Sequence, residues 1–229
     1  MKAGKWIFVV AATAIMLIAG CGTSSTSETS SGVDGISDAT LSRYDVREIR
    51  EYQGVNLDPA TGPRDNSING IQHVDIKDYT LSITGLVDNP LKLTYDEVLA
   101  YPSSQRVVTL HCVEGWDATI LWEGVRLVDL FDAAQTQGEA NTAIFKCVDG
   151  YTTSLPLETI AERDLLLAYN ANTAPLPPAT GYPFIVVAED KLGYKWARWV
   201  SEIELSSDAS YEGYWESNGY PNDAEVSDW

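Results

Sequence analysis

The stretch TLHCVEGW, Thr109–Trp116, sets a cysteine between a β-rich run and an acidic turn that ends in glycine. Adjacent side chains of a strand point to opposite faces, so His111 and Cys112 cannot converge on one ion if the strand runs through both. The chain has only His73 and His111 and no CxxC pair, which argues against a mononuclear zinc site. Both histidines read as hydrogen-bonded structural residues. Cys112 keeps three readings here: half of a disulfide, a buried small hydrophobe, or a thiolate ligand for a soft or redox-active metal.

Outward from that stretch, RVVTLHC (106–112), TAIFKCV (142–148), LLLAY, FIVVAE (184–189) and KWARWVSEIEL (195–205) have strand composition. VDIKDYTLSITGLV (74–87) does too, and stops at the turn signal DNP. Helices are few and short. Thr94 and Glu97 stand at capping-box spacing ahead of an apolar stripe, VRLVDLFDAA (125–134) has helical periodicity, and LETIAE reads as a third helix. Short strands with brief helices predict a mixed, mostly β α+β domain, because a doubly wound sheet needs longer crossover helices.

The N-terminus speaks to compartment. Lys2 and Lys5 precede a 14-residue stretch, 6–19, whose only polar member is Thr13, too short for the ~20 residues of a membrane span. It ends in IAGC, which resembles a bacterial lipobox, so residues 1–20 are expected to be a lipoprotein signal peptide and Cys21 the lipidated residue. Residues 21–40 then form a Ser/Thr-rich tether, since GTSSTSETSS has nothing to bury. The folded domain is expected over 41–229, held by its lipid on the extracytoplasmic face of the cell membrane.

With Lys2 and Lys5 removed, 13 basic side chains face 33 acidic ones, a net charge near −20. That excludes nucleic acid as a partner, because phosphate binding needs a basic face. Arginine clusters therefore stand out. In SRYDVREIREY, Arg43, Arg47 and Arg50 recur at one-face helical spacing, either a salt-bridged surface helix or an anion site. In LGYKWARW (192–199), alternation sends Lys195 and Arg198 to opposite faces of a strand. The tail 206–229 holds six acids, no bases and five aromatic residues. Acidic termini default to disorder, but these aromatics predict that part of it packs back.

Four ordered blocks, TLHCVEGWDATILWEGVRLVDLF, GLVDNPLKLTYDEVL, GYPFIVVAEDKLGYKWARWVSEIEL and YEGYWESNGY, resemble the sulfite-oxidase-like molybdopterin oxidoreductase family over about residues 43–220. The CVEGW form is most similar to the branch that holds the periplasmic methionine sulfoxide reductases. The resemblance implies one molybdenum held by the pterin dithiolene and the Cys112 thiolate, with the protein supplying orientation and electrostatics. It places Arg47, Arg50, Glu51, Cys147, Lys195 and Arg198 at cofactor contacts. Two positions depart from the family, which often has a polar residue before the G-x-P turn and an Arg two residues after its Pro. Thr180 and Ile185 stand there, the missing Arg weakening the grip on the pterin phosphate by ~1.5–3 kcal/mol. A ligating Cys112 cannot also be bridged to Cys147.

With no haem-attachment CxxCH, electrons must come from a separate membrane protein or cytochrome. The expected activity is two-electron oxygen-atom transfer with Mo-molybdopterin, reducing a small S-oxide or N-oxide. A dianion such as sulfite requires arginines, and none follows Cys112 before Arg126, whereas Trp116, Trp196 and Tyr182 suit a neutral substrate. The rival reading is a cofactor-free lipoprotein module on the same fold. A thiol–disulfide protein lacks its CxxC and its βαβ pattern.

Overall fold

A computed structural model of the chain describes residues 47–228. A two-strand hairpin opens it, β1 (Glu51–Tyr52) and β2 (Val55–Asn56), joined by Gln53 and Gly54, both at positive φ. Two left-handed residues between paired strands are the geometry of a tight hairpin turn. The expected helix over SRYDVREIREY is therefore corrected within its described part. Residues 47–49 have no regular structure, and Arg50 bends into the hairpin, where its carbonyl accepts from Leu57 N at 3.0 Å. Arg43 lies outside the described residues.

Next come β3 (Thr80–Gly85), β4 (Leu91–Thr94), helix α1 (Tyr95–Leu99), β5 (Ser103–Cys112), β6 (Trp116–Arg126) and helix α2 (Leu127–Ala134). They are followed by β7 (Thr142–Cys147), β8 (Thr152–Pro156), helix α3 (Leu157–Glu162), β9 (Leu166–Ala171), β10 (Ala174–Pro175), β11 (Ile185–Val187) and β12 (Val200–Ser206). The α1 capping box forms as its sequence predicts, Glu97 N donating to Thr94 Oγ1 and Thr94 N to Glu97 Oε2. The strand expected over 74–87 begins only at Thr80, because the Asp75 carboxylate takes Lys77 N and turns the chain first.

Two five-stranded sheets result. One runs β10-β9-β6-β5 with β11 also on β9, and the other runs β4-β3-β12-β7-β8. All pairs are antiparallel except β12 with β3. One apolar core joins Leu81 and Ile83 of β3, Phe145 of β7 and Ile203 of β12 to Ile120 and Trp122 of β6 and Val186 of β11. The α2 stripe adds Leu127, Leu130 and Phe131 to it. Each fully buried leucine there contributes about 1.5–3 kcal/mol. This is the mostly β α+β architecture that the sequence implies.

The C-terminal segment is ordered rather than loose. Tyr214 N donates to Thr152 O at 2.9 Å, and Gly213 lies so close to β8 that a Cβ would fall 2.2 Å from that oxygen. Leu192 N bonds Ala224 O, Val226 N bonds Asp190 O, and Lys191 pairs with Glu225. Two acids of the tail, Glu216 and Glu225, pair with Lys195 and Lys191 of the domain, so the tail's charge does not keep it in solvent.

Candidate active site

The β5–β6 hairpin makes the centre of the site. Cys112 pairs with Trp116 across a three-residue loop, and Gly115, at φ 81°, donates its N–H to Cys112 O at 2.9 Å. Strand alternation then separates the neighbours as predicted. His111 faces outward, its Nδ1 2.7 Å from Asp117 Oδ1, and Cys112 faces inward at 8% exposure. Its thiol stands on the wall of a cavity of about 470 Å³, within the range of small-molecule and cofactor pockets.

The loop between β2 and β3 covers the thiol. Asn66 Nδ2 donates to Cys112 Sγ at 3.5 Å and to Glu114 Oε2 at 3.3 Å. Trp116 Nε1 donates to the same carboxylate oxygen at 3.2 Å, and Arg64 lies 3.9 Å from Glu114 Oε1. Glu114 is thereby fixed beside the thiol. Burial pushes the Cys112 thiol up and Glu114 adds to that, while the Glu114 backbone N–H, Asn66 and Arg198 pull the other way. A thiol in that balance becomes a thiolate when a cation takes up its charge.

Arg198 reaches the cavity from an irregular segment. Gly193–Lys195 form a 3₁₀ turn and Trp199 has φ 54°, so the strand expected over 195–205 starts only at Val200. The guanidinium donates to Ala179 O at 2.8 Å, lies 3.6 Å from Asp65 Oδ1 and sits 4.5 Å from the Trp199 ring centroid. Burial lowers its proton affinity, against the pull of Asp65 and Asp149. Lys195 goes elsewhere. Fully buried, it donates to Glu216 Oε1 at 2.5 Å, Asn222 Oδ1 at 2.7 Å and Ser154 O at 3.1 Å, and it does not line the cavity. All three donors being used, its expected cofactor contact is corrected to a structural role.

Other expected contacts divide the same way. Thr180 lines the cavity, with its hydroxyl donated to Ala60 O at 2.8 Å, so it holds the start of the covering loop. Cys147 is a free, buried thiol off the cavity wall, pushed well up by burial and by Asp149. Cys112 is likewise unbridged, so the disulfide reading falls away. Arg47, Arg50 and Glu51 are exposed and do not line the cavity, Arg50 pairing with Glu48 at 3.0 Å. Ile185, where the resemblance leads one to expect Arg, is a buried wall residue bridged to Arg198 through the backbone. Trp116 and Trp196 line the cavity, but Tyr182 packs against Tyr95 at 5.9 Å and lines a separate shallow groove.

Sequence reasoning missed Arg64, Asp65 and Asn66, Asp149, and the tail residues Trp215 and Tyr220, all of which line the cavity. For the first group the signal was GPRDNS, a polar turn-rich stretch too close to the ordinary loop pattern to be singled out.

Among the described residues no three His, Cys, Asp or Glu side chains cluster as a metal site. A lone buried thiol can serve a metal only if an organic group brings the other ligands. The cavity has the volume for one, and Arg198 and Arg64 put cations on its wall, where an anionic part of such a group can be met. The residues present therefore fit a metal–organic redox cofactor. Fold and site together define a β-rich cofactor-binding oxidoreductase domain.

The chain belongs to the oxidoreductase molybdopterin-binding domain family, which matches residues 68–215 and whose cofactor is Mo-molybdopterin. It is 35% identical over 147 residues to an uncharacterized oxidoreductase, YuiH, of Bacillus subtilis (strain 168), covering 64% of this chain and 74% of that one. It is 33% identical over 153 residues to the putative protein-methionine-sulfoxide reductase subunit YedZ1 of Azospira oryzae, covering 66% of this chain and 57% of that one. The sulfane dehydrogenase SoxCD of Paracoccus pantotrophus shares the fold, with a TM-score of 0.61, 22% identity, and 81% and 58% of the two chains covered. The chain thus spans little more than half of the last two.

Proposed function

We propose that this oxidoreductase reduces a neutral S-oxide or N-oxide by two-electron oxygen-atom transfer, with electrons delivered by a separate membrane protein or cytochrome. The observation that carries this reading is the charge of the cavity wall, where Arg64 and Arg198 are outnumbered by Asp65, Glu114 and Asp149. An incoming dianion meets net repulsion, and Ile185 removes a further cation from the wall. Trp116, half-buried on the wall, offers an aromatic face that suits a neutral or weakly cationic ligand. The similarity to a putative methionine-sulfoxide reductase subunit supports the same class.

In this reading Cys112 is the protein's thiolate ligand to molybdenum, Arg198 faces the anionic part of the pterin, and Asn66 orients the sulfur. The bound cofactor supplies the two-electron redox chemistry. Reduction of an S-oxide breaks the sulfur–oxygen bond, takes up two electrons and two protons, and releases the thioether and water. Burial of the thiol beneath the 60–71 loop keeps bulk water from it. Holoprotein supplied with a reduced dye is expected to turn over S-oxides or N-oxides and to leave sulfite with ferricyanide almost untouched. Robust oxidation of sulfite, or reduction of nitrate alone, defeats the proposal.

We also infer a lipid anchor at Cys21, which lies outside the described residues and rests on the IAGC stretch and its apolar leader. Within the described residues no helix is long and apolar enough to cross a membrane. Cys21→Ser is expected to move the protein from the membrane fraction to the soluble one, or to leave its leader uncleaved. A variant processed and fractionated like the wild type removes the anchor from the picture.

A further inference from the structure

The cavity has a wall that the cofactor-binding residues do not explain. Trp215 and Tyr220 line it, and they come from the C-terminal segment, at and beyond the end of the stretch that matches the family. Their rings are built into an edge-to-face ladder. Tyr214 meets Trp215, Trp215 meets Tyr220, and Tyr220 meets Tyr194, each with centroids 5.3 Å apart and interplanar angles of 89°, 65° and 65°. Tyr194, also on the wall, is held by its hydroxyl on Pro221 O at 2.7 Å.

The ladder is anchored from behind. Glu216, directly after Trp215, is fully buried and accepts from Lys195 and from Thr153 Oγ1, both at 2.5 Å. Beyond Tyr220, Asn222 takes Lys195 at 2.7 Å and Ala224 takes Leu192 N at 2.9 Å. A terminal segment packing merely to cover apolar surface does not require a buried ion pair on one side of a ring pair and a second set of bonds on the other. Rings fixed in advance lose little freedom when a ligand stacks on them.

We propose that Trp215 and Tyr220 are the specificity-determining wall of this site, selecting S-oxides that carry a flat, uncharged apolar substituent over small polar ones. The proposal rests on the S-oxide reading above for its substrate class. Aromatic faces attract a second ring or an apolar arm by contact geometry as well as by area. The carboxylate majority of the wall disfavours an anionic arm in the same place.

The test uses holoprotein and two sulfones, neutral analogues that keep the S–O dipole and the substituents of the S-oxides and add one oxygen. Methyl phenyl sulfone and dimethyl sulfone are titrated by calorimetry against the wild type, Trp215→Leu, Tyr220→Leu, and the ring-keeping variants Trp215→Phe and Tyr220→Phe. The phenyl probe is expected to bind the wild type more tightly than the dimethyl probe. Each leucine variant is expected to shrink that preference by about 2–10-fold, as an aromatic contact implies, and the phenylalanine variants to keep most of it. In turnover, the ratio of kcat/KM for methyl phenyl sulfoxide to that for dimethyl sulfoxide is expected to fall in the leucine variants through KM. An undiminished phenyl preference in leucine variants that melt like the wild type overturns the proposal, as does a wild type with no preference. Failure to reduce any S-oxide, with sulfone binding still following the rings, leaves the wall standing and removes the S-oxide reading.

Discussion

Cys112→Ser is expected to abolish turnover while leaving the domain folded. The side chain sits at the end of β5 with one weak hydrogen bond to its sulfur, so replacing sulfur by oxygen disturbs little packing. A hydroxyl, however, is a hard, weakly acidic donor and replaces a soft thiolate poorly. Losing the one protein thiolate should cost more than the ~10–100-fold that removal of an outer-shell partner costs. The check is activity with a reduced dye alongside molybdenum content and melting temperature. A wild-type melt, about one molybdenum per chain in the parent, and no turnover in the variant is the expected pattern. Full activity in Cys112→Ser removes the ligand assignment. Asn66→Ala is the graded companion, since it strips only the donor to the sulfur.

Glu216→Leu is expected to be the most destabilising single change in the C-terminal segment. It leaves the ammonium of Lys195, whose proton affinity burial already lowers, without its anion in a site with no solvent exposure. Stranding a buried charge costs about 3–5 kcal/mol, about 10 °C in melting temperature for a domain of this size. The double variant Lys195→Met/Glu216→Leu should recover most of the loss, because two packed apolar side chains replace a pair whose desolvation was expensive. Recovery appears as a large coupling energy in the double-mutant cycle. If the double variant loses the sum of the two single losses, the two side chains are not coupled as a buried ion pair. Glu216 Oε2 has no partner among the described residues, so even the intact pair is not fully satisfied.

The contrast between Lys195 and Arg198 shows what the sequence could and could not tell. Both sit in the GYKWAR block, and strand alternation was the only rule available to separate them. They do diverge, one into a buried ion pair and the other to the cavity, yet the chain there is a 3₁₀ turn followed by a left-handed Trp199. The reason lies in Glu216, a residue some twenty positions on whose pairing no local pattern encodes. The opposite facing of His111 and Cys112 was legible because strand alternation is local physics, whereas the ligand reading of Cys112 came from the family resemblance. The α1 capping box was legible too. The arginine face of residues 43–50 misled because four-and-three spacing fits a helix equally well when there is none, while Gln53-Gly54 was the overlooked hairpin signal. The longest strand, β6, went unread because WDATILWEGVR mixes buried and half-buried positions without clean alternation.

The middle position of β12 in its sheet bears on how the molecule is made. The strand pairs on one side with β3, about 120 positions earlier, and on the other with β7. Until Val200–Ser206 has been synthesised, β3–β4 and β7–β8 are two hairpins with no strand between them. A lone hairpin is at best marginally stable in water. Domains emerge from the ribosome N-terminus first at roughly 5–20 residues per second, so most of this chain is exposed before its last central strand arrives. Closure then joins segments far apart in sequence, a kind of pairing that folds slowly. The sheet built around β12 therefore stays open for nearly the whole of the chain's synthesis.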